Sequence, residues 1–397
     1  MIKKIYLIPL LFIVLTACQK DSNPEEQTTE KPLHIVSDEQ RLTFTGVLLQ
    51  IFATAFSETW GDKTFSDIRG IKIIYNTVDQ NNEPVQASGM LMIPQSTDGN
   101  QPLVSVQHGT LSDDSDAPSN SVLGSNELTL ASLFAGFGSV VAISDYVGYG
   151  HTADKKHPYQ HKENTAQSTY DFLLAVLEYL EREEIQTNDE LFLMGYSQGG
   201  HATMALHQKI EEENQLTVTH SIPAAGAYNI TQFTKEILSQ DKDLPFLGSY
   251  VWVLEVFNSM FPSLQRPLDF YLNEPYSNQL SQLGEIDKPV DLSLIDPNPQ
   301  KLLKKDFIDN ILNGTDKVLL DVLAQNDVFD WKPSAPITLF HGTTDDYVYP
   351  SNSEITRDRI QAQGGDIRYV PLEGMNHEEA ALPYFLEASK IIFPSSN

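Results

Sequence analysis

Leu191-Phe-Leu-Met-Gly-Tyr-Ser-Gln-Gly-Gly200 is the stretch on which the reading of this 397-residue chain turns. Four apolar residues, Leu191 to Met194, have the length and composition of a buried strand, and His201 to Glu213 has the pattern of a helix. Between them, Gly195-Tyr-Ser-Gln-Gly199 fits Gly-x-Ser-x-Gly. A strand-to-helix turn this tight leaves no room for side chains beside the serine. Glycines therefore flank it, and the Ser197 hydroxyl is held out at the end of the sheet. So short a pattern gains its weight from what accompanies it.

A serine hydroxyl is a poor nucleophile at neutral pH, so it needs a base, and the base needs an orienting carboxylate. The turn resembles the nucleophile elbow of α/β-hydrolases, and that resemblance implies partners in the order Ser, Asp or Glu, His. The predicted strand Ile337 to Phe340 ends in His341-Gly-Thr-Thr-Asp345-Asp346-Tyr-Val348. The predicted strand Ile367 to Val370 ends in Pro371-Leu-Glu-Gly-Met-Asn-His377. Both loops leave the carboxyl ends of parallel strands, the edge where open α/β sheets bind ligands.

Among 10 histidines, His377 alone falls in the final strand-to-helix loop. His201 shares the helix after Ser197 and is expected to pack against the sheet. His341 ends a strand and comes too early in the chain. His157 and His161, in His157-Pro-Tyr-Gln-His161, have no cysteine or carboxylate at matching spacing, which favours a structural loop over a metal site. Asp345 is preferred to Asp346, because in Asp345-x-x-Val348 the valine can anchor the next segment while the carboxylate faces His377. Asp346 is expected to be exposed or capping. The catalytic residues expected are thus Ser197, Asp345 and His377. Two backbone N–H donors are expected to form the oxyanion hole. One is that of Gln198, and the other that of Thr110 in His108-Gly109-Thr110 after the strand Leu103 to Gln107. The acidic run Asp113, Asp114, Asp116 reads as a solvated loop and not a calcium site.

Working outward, Asp38 to Thr59 carries apolar residues at helical spacing, with Asp38 as start and Gly61 as stop. Ile71 to Tyr75 and Ala87 to Ile93 read as strands joined by the turn-rich Asp79 to Pro84. Further strands are predicted at Val140 to Ile143 and Leu216 to Ile222. Helices are predicted at Glu127 to Phe137, Thr165 to Leu180, Asn352 to Gln363 and Glu378 to Ile391. Such alternation implies an α/β class with a mostly parallel central sheet and helices on both faces. Residues 228–333 break it with several helices and proline-rich joints. Placed after the strand that follows the Ser197 helix, this insertion would lie above the carboxyl edge as a helical cap. Its stretch Leu244 to Tyr276 is rich in large apolar residues, and Trp252, Phe257 and Phe261 are the candidate substrate-binding residues there.

The formal charge of −28 argues against nucleic acid as a partner and gives no attraction to anionic lipid. The single cysteine, Cys18, allows no intrachain disulfide. Lys3 and Lys4 precede an apolar run, Ile5 to Leu15, of signal-peptide length. Leu15-Thr16-Ala17-Cys18 then resembles the bacterial lipobox, which implies a leader over 1–17 and a lipidated Cys18. Polar residues 18–37 form a flexible tether, and 38–397 the catalytic domain. Gln19 in place of aspartate points to the outer membrane of the bacterial cell envelope, and Gln19-Lys20-Asp21 resembles a surface-export signal.

Ile74-Tyr-Asn-Thr-Val-Asp79, Ala87-Ser-Gly-Met-Leu-Met-Ile-Pro94, Asp145-Tyr-Val-Gly-Tyr-Gly150, His157-Pro-Tyr159 and Gly195-Tyr-Ser-Gln-Gly-Gly-His201 together resemble the secretory lipases of the lipase A type. The likeness covers most of residues 66–390. It implies an α/β-hydrolase core with a helical cap, a triad of Ser197, Asp345 and His377, and hydrolysis of acyl esters. The chain departs from the fungal members in lacking their disulfides, and its cap gives no match from which to read chain length.

The resulting expectation is a lipid-anchored serine esterase or lipase that acts on a small-molecule or lipid ester and needs no metal or organic cofactor. The rivals are a prolyl-oligopeptidase-like serine peptidase, whose large N-terminal propeller has no counterpart here, and a polysaccharide deacetylase or feruloyl esterase. A further rival is a surface binding protein on an inactive hydrolase fold.

Overall fold

In the computed structural model, which describes residues 33–56, 60, 64–111, 113–120 and 126–394, the strands form one sheet. The leader, Cys18 and the tether up to Pro32 lie outside the described residues, as does Gly61. Among the described residues there are nine strands: β1 (Ile35–Phe44), β2 (Ile68–Val78), β3 (Pro84–Pro94), β4 (Leu103–Gln107), β5 (Val140–Ser144), β6 (Leu191–Tyr196), β7 (His220–Ala224), β8 (Ile337–Gly342) and β9 (Ile367–Leu372). Their order across the sheet is β1-β2-β3-β5-β4-β6-β7-β8-β9. The β1, β2, β3 and β5 neighbours pair antiparallel, and from β5 to β9 every pair is parallel.

From β4 the chain first steps outward to β5, then returns across β4 to β6. The order of winding therefore reverses between β4 and β6, and loops leaving these two strands diverge and open a crevice. The parallel strands end nearly level, with Gln107 opposite Gly195, Tyr196 opposite Ala224 and Gly342 opposite Leu372. The loops that carry Thr110, Ser197, Asp345 and His377 thus all leave the same edge.

Helices cover both faces. On one, Gly46–Phe56, Asn126–Phe137 and Ala381–Ile392 pack into a cluster with Val104, Met194 and Phe134. On the other, Lys162–Arg182 and Gln198–Glu213 bury Phe172, Leu173 and Leu206 against the sheet. Parallel strands covered on both faces read as near-continuous apolar runs, as Val140 to Ile143 in β5 and Leu191 to Met194 in β6 do.

Two expectations change. The helix predicted from Asp38 to Thr59 is instead the edge strand β1 followed by the helix Gly46–Phe56, and Asp38 lies opposite Ile73 in the β1–β2 ladder. The strand predicted from Leu216 starts only at His220, where the ladder to Phe192 begins. Leu216 and Val218 belong to the connection, packed beside the helix cluster.

Between β7 and β8 the chain forms helices that include Ile230–Leu238, Leu247–Met260, Lys305–Leu312 and Lys317–Gln325. They share an apolar cluster of their own, joined from the sheet side by Tyr159 and Val348. A paired ion contact, Arg266 Nη1 and Nη2 on Asp316 at 2.5 and 2.9 Å, ties its middle to its last helix. Asp316 also caps that helix through Leu319 N.

Candidate active site

Ser197 follows β6 directly and has φ 58° and ψ −118°, a conformation that non-glycine residues avoid. The flanking glycines make it possible. A Cβ on Gly199 would strike the carbonyl of Gln107 in β4, and one on Gly195 would strike both Gly199 and Gln107. The helix Gln198–Glu213 starts immediately, and Ser197 is thrust out of the backbone path between β6 and the helix.

A continuous hydrogen-bond chain starts from this serine. His377 Nε2 lies 2.9 Å from Ser197 Oγ, and His377 Nδ1 lies 2.6 Å from Asp345 Oδ2. Serine 197 is half-buried, whereas His377 and Asp345 are 7% and 4% exposed. Asp345 Oδ1 accepts from the backbone N–H groups of Tyr347 and Val348 at 2.9 and 2.8 Å. Burial alone would raise the Asp345 pKa. Hydrogen bonds from His341 and then His377 outweigh it and hold the carboxyl down at about 2. The carboxylate is therefore ionised and acceptor-only, so Nδ1 of His377 carries a proton and donates it. Nε2 is left facing the serine hydroxyl. Asp346 is exposed.

The Gln198 N–H is the first of its helix and so belongs to the donors that a helix leaves without an intrahelical partner. Its side chain is fixed separately. Burial pushes the His157 imidazole down to about 3, so the ring is neutral. Its Nδ1 donates to Val147 O at 2.7 Å, and its Nε2 accepts from Gln198 Nε2 at 2.7 Å. The loop from His108 to Leu111 is strapped by two tyrosines, Tyr146 donating to His108 O at 3.0 Å and Tyr149 to Leu111 O at 3.2 Å. Thr110 Oγ1 lies 2.7 Å from the Tyr159 hydroxyl. Tyr159 in turn stacks on Trp252, ring centres 4.0 Å apart.

Ser197 lies on the wall of a pocket enclosing about 980 Å³ of atom-free space, part of it open to solvent. Most of the wall is apolar, with Ile230, Phe233, Leu254 and Phe307 from the helices between β7 and β8. Tyr159, Gln160, Ser249 and Tyr347 add polar groups. Of the three aromatic candidates, Phe257 lines this pocket. Trp252 is fully buried on Tyr159, and Phe261 stacks on His161 with ring centres 5.0 Å apart.

His201 and His161 have structural surroundings. His201 is buried, its Nε2 2.8 Å from Asn326 O, and burial lowers its pKa to about 4. The His161 ring accepts from Asn164 N at the start of the helix Lys162–Arg182. Asp114 accepts from Gly150 N and from Asn120, and among the described residues no cluster of histidine, cysteine and carboxylate groups suits a metal ion.

Sequence reasoning assigns no role to Tyr159, Tyr196, His341 or Tyr347. Tyr347 adjoins Asp345 and packs edge-on to the His377 ring at 4.9 Å. Its place beside the acid is the signal that marks it in the sequence. His341 was weighed only as a base, although its spacing of four from Asp345 brings the two together across a tight turn.

The overall architecture recurs in solved structures. A protein from Legionella pneumophila aligns with a TM-score of 0.80 and 22% identity, over 92% of this chain and 100% of that one. The rice cell wall degrading esterase LipA from Xanthomonas oryzae aligns at 0.75 and 20% identity, over 90% and 96%. Candida antarctica lipase A in its closed state aligns at 0.66 and 16% identity, over 92% and 83%. At these identities the likeness establishes the α/β-hydrolase fold. Comparison with curated protein sequences finds no match. The family model for secretory lipases, however, matches residues 115–383, well over half of the chain. With that match, this chain belongs to the secretory lipase family and is a carboxylic ester hydrolase.

Proposed function

We propose that Ser197, His377 and Asp345 carry out ester hydrolysis through an acyl-enzyme on the mouth of the apolar pocket. His377 Nε2 takes the proton of Ser197 Oγ as the hydroxyl attacks the ester carbonyl. Asp345 holds the ring in the tautomer that leaves Nε2 free and stabilises the imidazolium that forms. The backbone N–H groups of Thr110 and Gln198 receive the oxyanion, each such donor contributing roughly 100- to 1,000-fold in rate. His377 then protonates the departing alcohol, and water repeats the sequence on the acyl-enzyme. The observation that supports this reading is the unbroken Ser197–His377–Asp345 hydrogen-bond chain beside the pocket.

Residues 228–333 act as the cap in this reading, and their pocket-facing side chains hold the acyl chain. Support comes from the apolar wall that the cap helices supply next to Ser197. Cys18 is the site of lipidation, and the enzyme is tethered to the cell envelope through it, with Gln19 favouring the outer membrane. The support here is the leader sequence. Among the described residues no helix is long and apolar enough to cross a membrane.

A series of nitrophenyl esters of increasing acyl length, run beside acetylated sugars and a prolyl peptide, tests the substrate class. Each methylene buried in the pocket contributes about 0.8 kcal/mol, or ~4-fold in kcat/KM. A rise from acetyl to butyryl or hexanoyl is the expected outcome. A preference for acetyl over every longer chain would instead favour a polysaccharide deacetylase; the Xanthomonas oryzae neighbour is a cell wall degrading esterase. Cleavage of the prolyl peptide in preference to all esters would favour a peptidase.

A further inference from the structure

The carboxylate that orients His377 is itself gripped by a second histidine. His341, in β8, is fully buried, and the chain turns tightly from it to Asp345 four residues later. His341 Nε2 lies 3.1 Å from Asp345 Oδ2, the same oxygen that receives His377 Nδ1. It also lies 2.7 Å from Val348 O. Both are acceptors only, so the His341 Nε2 must carry a hydrogen, whatever the charge of the ring. The opposite nitrogen, Nδ1, lies 2.6 Å from Ser353 Oγ, a fully buried hydroxyl on the helix Ser351–Ala362. The ring is thus fixed at both ends.

We infer that His341 is a positioning residue for the reaction, acting through Asp345; this rests on the catalytic reading above. With Tyr347 N and Val348 N on Oδ1 and two imidazoles on Oδ2, the carboxyl group has no freedom to rotate about its bond. Without His341, a buried anion would lose one of four donors, and Oδ2 would be aimed only by His377, the ring that it orients. Losing a partner of a buried charge is expensive, so the carboxylate would reorient to recover a donor, and His377 would follow it. His341 also joins the acid to the pocket, since its bond to Val348 O fixes the residue whose neighbour, Tyr347, stands on the pocket wall beside it.

The test compares two substitutions at one site. Glutamine can present its amide nitrogen near the position of imidazole Nε2, whereas leucine fills the space with no donor. His341→Gln is expected to keep most of the wild-type kcat. His341→Leu is expected to lose about 10- to 100-fold in kcat with KM unchanged, less than the roughly 10⁴-fold that follows loss of the orienting carboxylate itself. The rate at which a fluorophosphonate modifies Ser197 should fall in parallel. A folded His341→Leu enzyme with wild-type kcat overturns the inference, and so do equal losses in the two variants, which would make the ring mere packing. If His341→Leu does not fold, Ser353→Ala removes the far anchor of the ring. It should lower kcat with KM unchanged, and an unaltered kcat is again contradictory. Failure of the wild-type enzyme to react at Ser197 would overturn the catalytic reading and this role together. Labelled wild type with an indifferent His341→Leu would remove only the role of His341.

Discussion

The hydroxyl of Tyr196, the residue before the proposed nucleophile, donates a hydrogen bond of 2.5 Å to the backbone carbonyl of His377. Burial raises the Tyr196 pKa above its ordinary value, so the phenol stays protonated and remains a donor. The strand that leads into Ser197 therefore also holds the loop that carries His377. Tyr384, from the last helix, extends the arrangement by accepting from Gly195 N at 2.9 Å and donating to Ile222 O at 2.6 Å.

Tyr196→Phe keeps the ring and deletes this bond. A buried carbonyl left without its partner costs about 1–3 kcal/mol. The melting temperature should fall by a few degrees, and kcat should fall more than KM rises, because the His377 loop loosens. Steady-state kinetics with a differential scanning trace checks both. Unchanged kcat in a destabilised variant would limit Tyr196 to a structural role.

The paired aspartates should separate cleanly. Asp345→Asn should reduce kcat by roughly 10⁴-fold through loss of the correct histidine tautomer. Asp346 is exposed, and Asp346→Asn should leave kcat near that of wild type. The reverse order in two folded variants would show that Asp346 carries the orienting role.

Stability should respond to pH through Asp327. Burial pushes its carboxyl up to about 6, although Thr231 donates to it through both N–H and O–H. A raised folded-state pKa means that the native protein binds the proton more tightly than the unfolded chain does. Asp327 therefore lowers stability as pH rises from about 4 through about 6, by about 3 kcal/mol. Asp345 acts in the opposite sense, and its contribution is lost only as pH falls below about 4 towards 2. Asp327→Asn retains an acceptor for Thr231 and should raise the melting temperature at pH 7.5 but not at pH 4. Equal effects at both values would contradict the assignment.

How much of this was legible from residues alone differs sharply between regions. That Ser197, Asp345 and His377 come together was legible because a tight turn needs Gly195 and Gly199, and because Asp345 and His377 follow strands that end on one edge. The edge strand β1 was not. Its solvent side has no sheet neighbour, and most of its residues are exposed, so Asp38 to Arg41 show no alternation. The apolar residues just beyond then made a helix seem to begin too early. The helix Leu247–Met260 hid its orientation for a different reason. Trp252 and Phe257 are both fully buried, one under Tyr159 and the other on the pocket wall, so hydrophobicity could not say which faced substrate. The His341 contact was hidden because chain order excluded it as a base without saying what else a histidine there might touch.

The pocket wall can be probed where it is only half-buried. Leu254 lines the pocket and is less enclosed than Phe257. Leu254→Trp should shorten the usable acyl length, depressing kcat/KM for hexanoyl and longer esters while sparing acetyl. At about 0.8 kcal/mol per methylene, exclusion of two methylenes would amount to ~15-fold. A uniform loss across all chain lengths would separate the pocket from acyl recognition.

The most direct measurement is peptide mapping after reaction with a fluorophosphonate, followed by the same reaction on Ser197→Ala and His377→Ala. One phosphonyl group on Ser197 Oγ is expected, absent in Ser197→Ala and formed far more slowly in His377→Ala, with esterase activity lost in step with labelling. Modification at any other residue, or wild-type turnover surviving in Ser197→Ala, would contradict the assignment of Ser197 as the nucleophile.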